Sequence, residues 1–224
     1  MDFGTIDFAY AEHLATRPPE EDGPIWMVNF MRYKERADYG EGEGEGEGED
    51  GGISGREADD RYAPTEVLAD IGADIAYFGD TVGADDSPDP EWHRMAIVRY
   101  PTRRSFIDMQ SREDFQEKRV HKDAGMDFTI IMCSLPTGPV QGEPDGSGIV
   151  RFTAFPAKSS PSGPVAEGAA FEVEGTVVGD DRRWGRLEIS WSDREDDLPE
   201  GALVVRSLPF IDRVRPLIGD TPGG

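Results

Sequence analysis

The sequence predicts an α+β protein: a ferredoxin-like βαββαβ unit followed by a helix-poor second β-sheet repeat. Three observations predict it. Short apolar runs with period-two alternation recur along the chain, helix-capping signals stand between them only in the first half, and several first-half strands have echoes in the second. The boundaries follow as residues 1–22 for an N-terminal lead-in, 23–136 for the ferredoxin-like unit, 137–148 for a linker and 149–218 for the mostly β second repeat.

Residues 25–31 alternate and carry Trp26 and Phe30, so they form a strand. Ser54 opens a helix with Glu57 three residues on, a capping-box spacing. Tyr62, Val67, Leu68 and Ile71 carry that helix to Gly72, past an irregularity at Pro64. Residues 73–79, with Ile75 and Tyr77, read as a second strand, and residues 92–100 as a third after a turn containing Asp85-Asp86. Thr102 caps a short helix bearing Phe106 and Met109. Ser111 caps another that bears Phe115 and runs to Ala124, and residues 128–135 close the unit with a fourth strand.

The second half repeats the strand patterns without the helices. Trp92-His93-Arg94-Met95-Ala96-Ile97 is echoed by Trp184-Gly185-Arg186-Leu187-Glu188-Ile189, and residues 130–136 by residues 203–209. Met27-Val28-Asn29-Phe30 has a weaker partner in Ile149-Val150-Arg151-Phe152, and residues 171–180 match the second strand with its turn. Where helices would stand, residues 156–169 are rich in Ser, Pro and Gly, and residues 194–201 are too short. Between the halves, Pro136 to Gly148 is dense in Pro and Gly and reads as a linker.

Composition narrows the function. Among 224 residues, 46 acids against 23 bases leave a net charge of −23. Such a chain lacks the clustered bases that phosphate recognition and anionic lipid surfaces demand, so neither nucleic acid nor a membrane is expected as a partner. No apolar run approaches the roughly 18 residues of a membrane span, and the first residues lack the basic and apolar regions of a signal peptide, so a cytoplasmic protein is expected. A single cysteine, Cys133, excludes an internal disulfide and any Cys-rich zinc site, and three scattered histidines show no metal-ligand spacing. The Gly-Glu tract of residues 40–52 reads as a disordered acidic loop. There is no nucleophile elbow, phosphate loop or dinucleotide fingerprint.

Residues 23–136 resemble the domain-of-unknown-function 1330 family, a branch of the dimeric α+β barrel superfamily. The resemblance rests on Pro24-Ile25-Trp26-Met27-Val28-Asn29-Phe30-Met31-Arg32-Tyr33-Lys34, on Gly55-Arg56-Glu57-Ala58 with Tyr62, on Trp92 to Thr102, and on Phe115-Gln116 with His121. It implies sheets that face one another, normally between two subunits, with a pocket between each sheet and its helices. The second repeat would then supply the facing sheet in cis, forming an α+β barrel that is pseudo-dimeric within one chain, with a homodimer as the alternative. The superfamily includes cofactor-independent monooxygenases, isomerases, cyclases and haem-dependent members. The resemblance therefore implies a small-molecule enzyme that oxidises, isomerises or cyclises an organic carbonyl compound, for instance in bacterial secondary metabolism. The other reading is a non-catalytic ligand-binding or structural protein with a barrel pocket. No cofactor is expected, with haem as the alternative.

Within that frame His121 is the first catalytic candidate, as a general base or a ligand, or else as a packing residue near a helix C-terminus. Alternation places Met27, Asn29 and Met31 on the strand face that would line the pocket, and Val28, Phe30 and Arg32 on the other. Asn29 would orient a ligand oxygen or bond a neighbouring backbone, and with Arg32 would steer an enolate or carbonyl oxygen while His121 moves a proton. Tyr62, Trp92, Arg99 and Tyr100 are the substrate-binding candidates. His93 reads as a solvent-facing strand residue, His13 as exposed, and Cys133 as buried and inert.

Overall fold

A computed structural model describes residues 3–40, 52–82, 92–194 and 197–219. Most of the Gly-Glu tract (residues 41–51) and the Asp85-Asp86 turn lie outside the described residues. The chain runs through β1 (Thr5–Ile6), α1 (Phe8–Thr16), β2 (Ile25–Tyr33), α2 (Gly55–Tyr62), α3 (Thr65–Asp70), β3 (Asp74–Thr81), β4 (Arg94–Tyr100), α4 (Arg103–Gln110), α5 (Glu113–Gly125) and β5 (Met126–Pro136). It continues through β6 (Val150–Pro156), β7 (Ala169–Gly179), β8 (Trp184–Ser190) and β9 (Leu203–Asp212) to α6 (Val214–Gly219). No helix among the described residues is long and apolar enough to cross a membrane.

All strand pairings are antiparallel, in the order β1-β7-β5-β2-β4-β3-β9-β6-β8, and a further β7–β8 pairing joins the two ends. The eight long strands β2 to β9 thus close into a barrel, with β1 added at the C-terminal end of β7. This corrects the expected fold. The protein is not a helix-packed ferredoxin-like α+β unit followed by a second sheet repeat, because strands of both halves share one closed antiparallel sheet. The reason lies at the strand edges. An open four-stranded sheet would leave β3 and β5 with unpaired backbone donors and acceptors, a template for unwanted pairing. Here β9 pairs with β3 (Thr81 with Ser207) and β7 pairs with β5 (Pro136 with Phe171), so both edges are consumed. The halves therefore meet edge to edge through hydrogen bonds, and neither the expected α+β barrel nor a free-standing tandem repeat forms.

Alternation along the strands fills the barrel. Trp26, Val28 and Phe30 of β2 point inward with Tyr77, Phe152, Phe171 and Leu187 from other strands. Edge-to-face pairs order this interior, Tyr77 with Phe152 at 4.8 Å and Trp26 with Phe171 at 5.4 Å between ring centres. At about 25 cal/mol per Å² of apolar surface removed from water, such large buried side chains dominate the stabilisation.

The helices cover only part of the outside. Ser54 caps α2 as expected: its hydroxyl accepts from the Glu57 amide at 3.2 Å, and the Glu57 carboxylate accepts from the Ser54 amide at 2.8 Å. The helix expected to run on to Gly72 instead breaks after Tyr62, because Pro64 has no amide hydrogen to continue the ladder, and α3 is a separate piece. Ser111 does not cap α5; Arg112 holds that position without a side-chain bond. Within the N-terminal lead-in, residues 5–16 form β1 and α1, with Asp7 capping α1 through a bond from the Tyr10 amide at 3.0 Å.

Candidate functional site

Outside the barrel, a second apolar layer lies between the helices and the outer face of β2, β4 and β5. The alternation that sends Trp26, Val28 and Phe30 inward turns Met27, Asn29 and Met31 to this side. Val98 and Tyr100 of β4 join them, facing Leu68, Phe106, Met109 and Phe115 of α3, α4 and α5. These side chains leave a cavity of about 500 Å³ between sheet and helices. Its volume and mostly apolar walls match the range of small-molecule pockets.

Two glycines set the polar side of this cavity. Gly55 opens α2 and Gly125 ends α5, and a β-carbon on either would collide with the backbone oxygen of the other. The chain leaving β2 clips the pair together: the Lys34 amide donates to the Gly125 carbonyl at 2.9 Å and its carbonyl accepts from the Gly55 amide at 3.1 Å. The close crossing brings Asp59, Asp60 and Tyr62 of α2 beside Arg119, Lys122 and Asp123 of α5 on the cavity wall.

Most charges there are already paired. Buried Asp59 accepts from the Tyr33 hydroxyl at 2.6 Å and from Arg94 at 3.2 Å. Arg94, 2% exposed, also reaches Asp60 at 2.7 Å and Asp80 at 3.0 Å, and lies over the ring of Phe78 at 4.7 Å. Burial, and then the charge of Asp59, push the Tyr33 phenol well up, so it remains a donor. Asp123 faces Arg119 at 3.5 Å. Lys122 differs: its ammonium lies 5.3 Å from the centre of the Tyr62 ring, and among the described residues no carboxylate comes within ion-pair distance. Burial lowers the pKa of Lys122, an effect that Asp59 and Asp123 oppose and Arg119 reinforces. Burial, then Tyr100, raises the Tyr62 phenol and keeps it protonated.

The candidates from the sequence divide at this cavity. Asn29, Tyr62 and Tyr100 line it. Asn29 is buried, and its amide nitrogen donates to the Met27 carbonyl at 3.1 Å, so it both bonds a neighbouring backbone and borders the cavity. The others lie elsewhere. His121 is half-buried on another side of α5, where its Nδ1 bonds the Tyr39 hydroxyl at 2.9 Å; burial, then Arg61 and Lys118, lower its pKa. Arg32 pairs with Asp127 at 2.5 Å and Arg99 with Asp74 at 3.6 Å. Trp92 packs in the barrel interior against Phe30 and Phe128. His93 is half-buried and accepts from the Tyr33 amide at 2.9 Å, and His13 is exposed. Cys133 is fully buried, and burial pushes its thiol up to about 12, too high for a reactive thiolate.

Sequence reading passed over Lys122, although a signal existed. Phe115, Arg119 and Lys122 are spaced by four and then three residues and so share one helical face, with Phe115 as its apolar member. His121 sits about 100° around the helix from Lys122, which is why it misses the cavity. Ile6 and Ala11 line the cavity as well, from segments whose secondary structure the sequence did not signal.

No family model matches the chain, and no curated protein matches it. Two crystal structures are similar. The first is the methylated RPA0582 protein, 25% identical, covering 62% of this chain and 98% of its own with a TM-score of 0.49. The second is the RPA0582 protein of unknown function from Rhodopseudomonas palustris, 24% identical, covering 61% of this chain and 99% of its own with a TM-score of 0.48.

Proposed function

We propose that the protein binds a small, largely apolar molecule in the cavity between α2–α5 and the outer face of the barrel. One observation carries this reading: about 500 Å³ of space remains in an otherwise packed apolar layer, with a few polar groups gathered on one wall. Close packing is the norm in protein interiors, and a void of this size between sheet and helices costs stability unless a ligand or solvent fills it. That wall gives an oxygen-bearing ligand its orientation through Tyr62 and Lys122 on the helix side, and the Asn29 amide borders the cavity from the sheet side. Binding rather than turnover by His121 is the better-supported activity, since His121 and Arg32 point away from the space where a substrate would sit.

The test is binding of the neutral apolar fluorophore N-phenylnaphthylamine to the purified full chain, with native mass spectrometry for any co-purifying compound. Ala96, opposite Asn29 in β4, borders the cavity, so Ala96→Phe fills it from the sheet side, and Ile107→Trp does so from α4. The fluorophore is expected to bind the wild type and to lose roughly tenfold or more in affinity in a filled variant that keeps its melting transition. A wild type that leaves the fluorophore unbound, or filled variants that bind it equally well, would sink the reading.

A further inference from the structure

We propose that Lys122 is a nucleophilic amine that captures an apolar aldehyde or ketone as an imine in this cavity. The inference rests on the cavity reading above and adds a covalent activity to it. Its basis is the position of Lys122. The side chain lines the cavity from α5, its ammonium meets the face of Tyr62 at 5.3 Å, and no carboxylate among the described residues ties it into an ion pair. Every other charged group on that wall has such a partner: Asp59 and Asp60 share Arg94, and Arg119 faces Asp123. Lys122 is half-buried and set beside another cation, and an amine so placed without a salt bridge is the form that attacks carbonyl carbon. Four groups on the two helices face it: Asp59 and Tyr62 on α2, and Arg119 and Asp123 on α5. Burial and Arg119 favour the neutral amine that must attack, while Asp59 and Asp123 lie close enough to stabilise the positive charge of the protonated imine.

The chemistry balances without a co-reactant. The lone pair of Nζ adds to the carbonyl carbon as the carbonyl π electrons move onto oxygen. One proton passes from nitrogen to that oxygen to give the carbinolamine; the nitrogen lone pair then forms the carbon–nitrogen double bond as the carbon–oxygen bond breaks, and the second nitrogen proton leaves with the hydroxyl as water. Amine and carbonyl compound become imine and water, with nothing oxidised or reduced.

The chain holds four lysines, Lys34, Lys118, Lys122 and Lys158, which makes the test internally controlled. The full chain is incubated at neutral pH with decanal and cyanoborohydride, whose hydride reduces any protonated imine to a stable secondary amine, and peptides are then mapped by mass. The expected result is an adduct on Lys122 in roughly tenfold excess over each of the other three lysines. Lys122→Met and Lys122→Arg, the second retaining the charge, should each lose the adduct while the labelling of the other three lysines stays unchanged. Even labelling of all four lysines, or an adduct undiminished by filling the cavity with Ala96→Phe, would overturn the proposal. A wild type that binds the fluorophore but shows no preference for Lys122 removes the imine and leaves the cavity reading standing. A wild type that binds no fluorophore removes the cavity reading itself.

Discussion

At the scale of single residues, the charges that matter are those held away from water. Arg94 is the clearest case. It is almost fully buried, it satisfies Asp59, Asp60 and Asp80 together, and it fixes the carboxylate that receives the Tyr33 hydroxyl. Arg94→Met would keep much of the side-chain volume while leaving buried Asp59 without a counter-charge. Removing one partner of a buried pair is strongly destabilising, so a loss of about 3 kcal/mol is expected, read from the urea midpoint. An exposed pair such as Arg104 with Asp108 is the contrast, since breaking it should change stability by less than about 1 kcal/mol. Lys122 belongs at this scale as well. Its character comes from what surrounds it, and a string of residues does not show which of several charges will find partners.

At the scale of elements, the segment joining β5 to β6 shows how polar side chains hold irregular chain. The Asp145 carboxylate accepts from the Ser147 amide at 2.8 Å and the Asp193 amide at 3.0 Å, and the Asp145 amide donates to the Trp191 carbonyl at 3.0 Å. Ser147, through its hydroxyl and amide, and then Asp193 hold the Asp145 carboxyl down to about 2 from its usual 3.8. A folded-state pKa below the unfolded one contributes stability that is present above about pH 3.8 and is lost as the pH falls towards about 2. Asp145→Asn should therefore flatten the decline of the melting temperature across that window and leave the slope above it unchanged. An identical acid decline in wild type and variant would show that the carboxylate plays no such part. Elements were also where the sequence was most readable. The capping box at Ser54 and the alternation of β2 are local patterns, and the structure follows them residue by residue. The break at Pro64 came through only as an irregularity, and α1 left no signal because only Leu14 of its nine residues is buried.

At the scale of the whole molecule, closure of the barrel depends on a few places where two backbones approach. At the β3–β9 seam Gly79 lies opposite Pro209 beside a register shift, and a β-carbon there would stand 2.5 Å from the Leu208 carbonyl oxygen and 2.8 Å from the Ser207 hydroxyl. At the β5–β7 seam Gly175 pairs with Cys133, and the ring of Tyr10 from α1 occupies the space a side chain would need. Gly79→Val should force the seam apart and cost about 1–3 kcal/mol. Gly138→Ala, in open space, should stay within about 0.5 kcal/mol. Equal melting temperatures for the two variants would show that the seam does not depend on close approach.

The sequence by itself determined the acidic surface, the lone buried cysteine, the positions of most strands and the face of β2 that carries Asn29. Those properties follow from composition and from periods of two and 3.6 residues, which are read within one segment. Only the tertiary structure decided that the strands close into one barrel and that Lys122, not His121, borders the cavity. Pairing β3 with β9 or β5 with β7 joins residues tens to more than a hundred positions apart, and helix crossings such as Gly55 on Gly125 choose which side chains converge. Contacts between distant segments leave no period in the chain, so the architecture and the site emerge only when the edges have met.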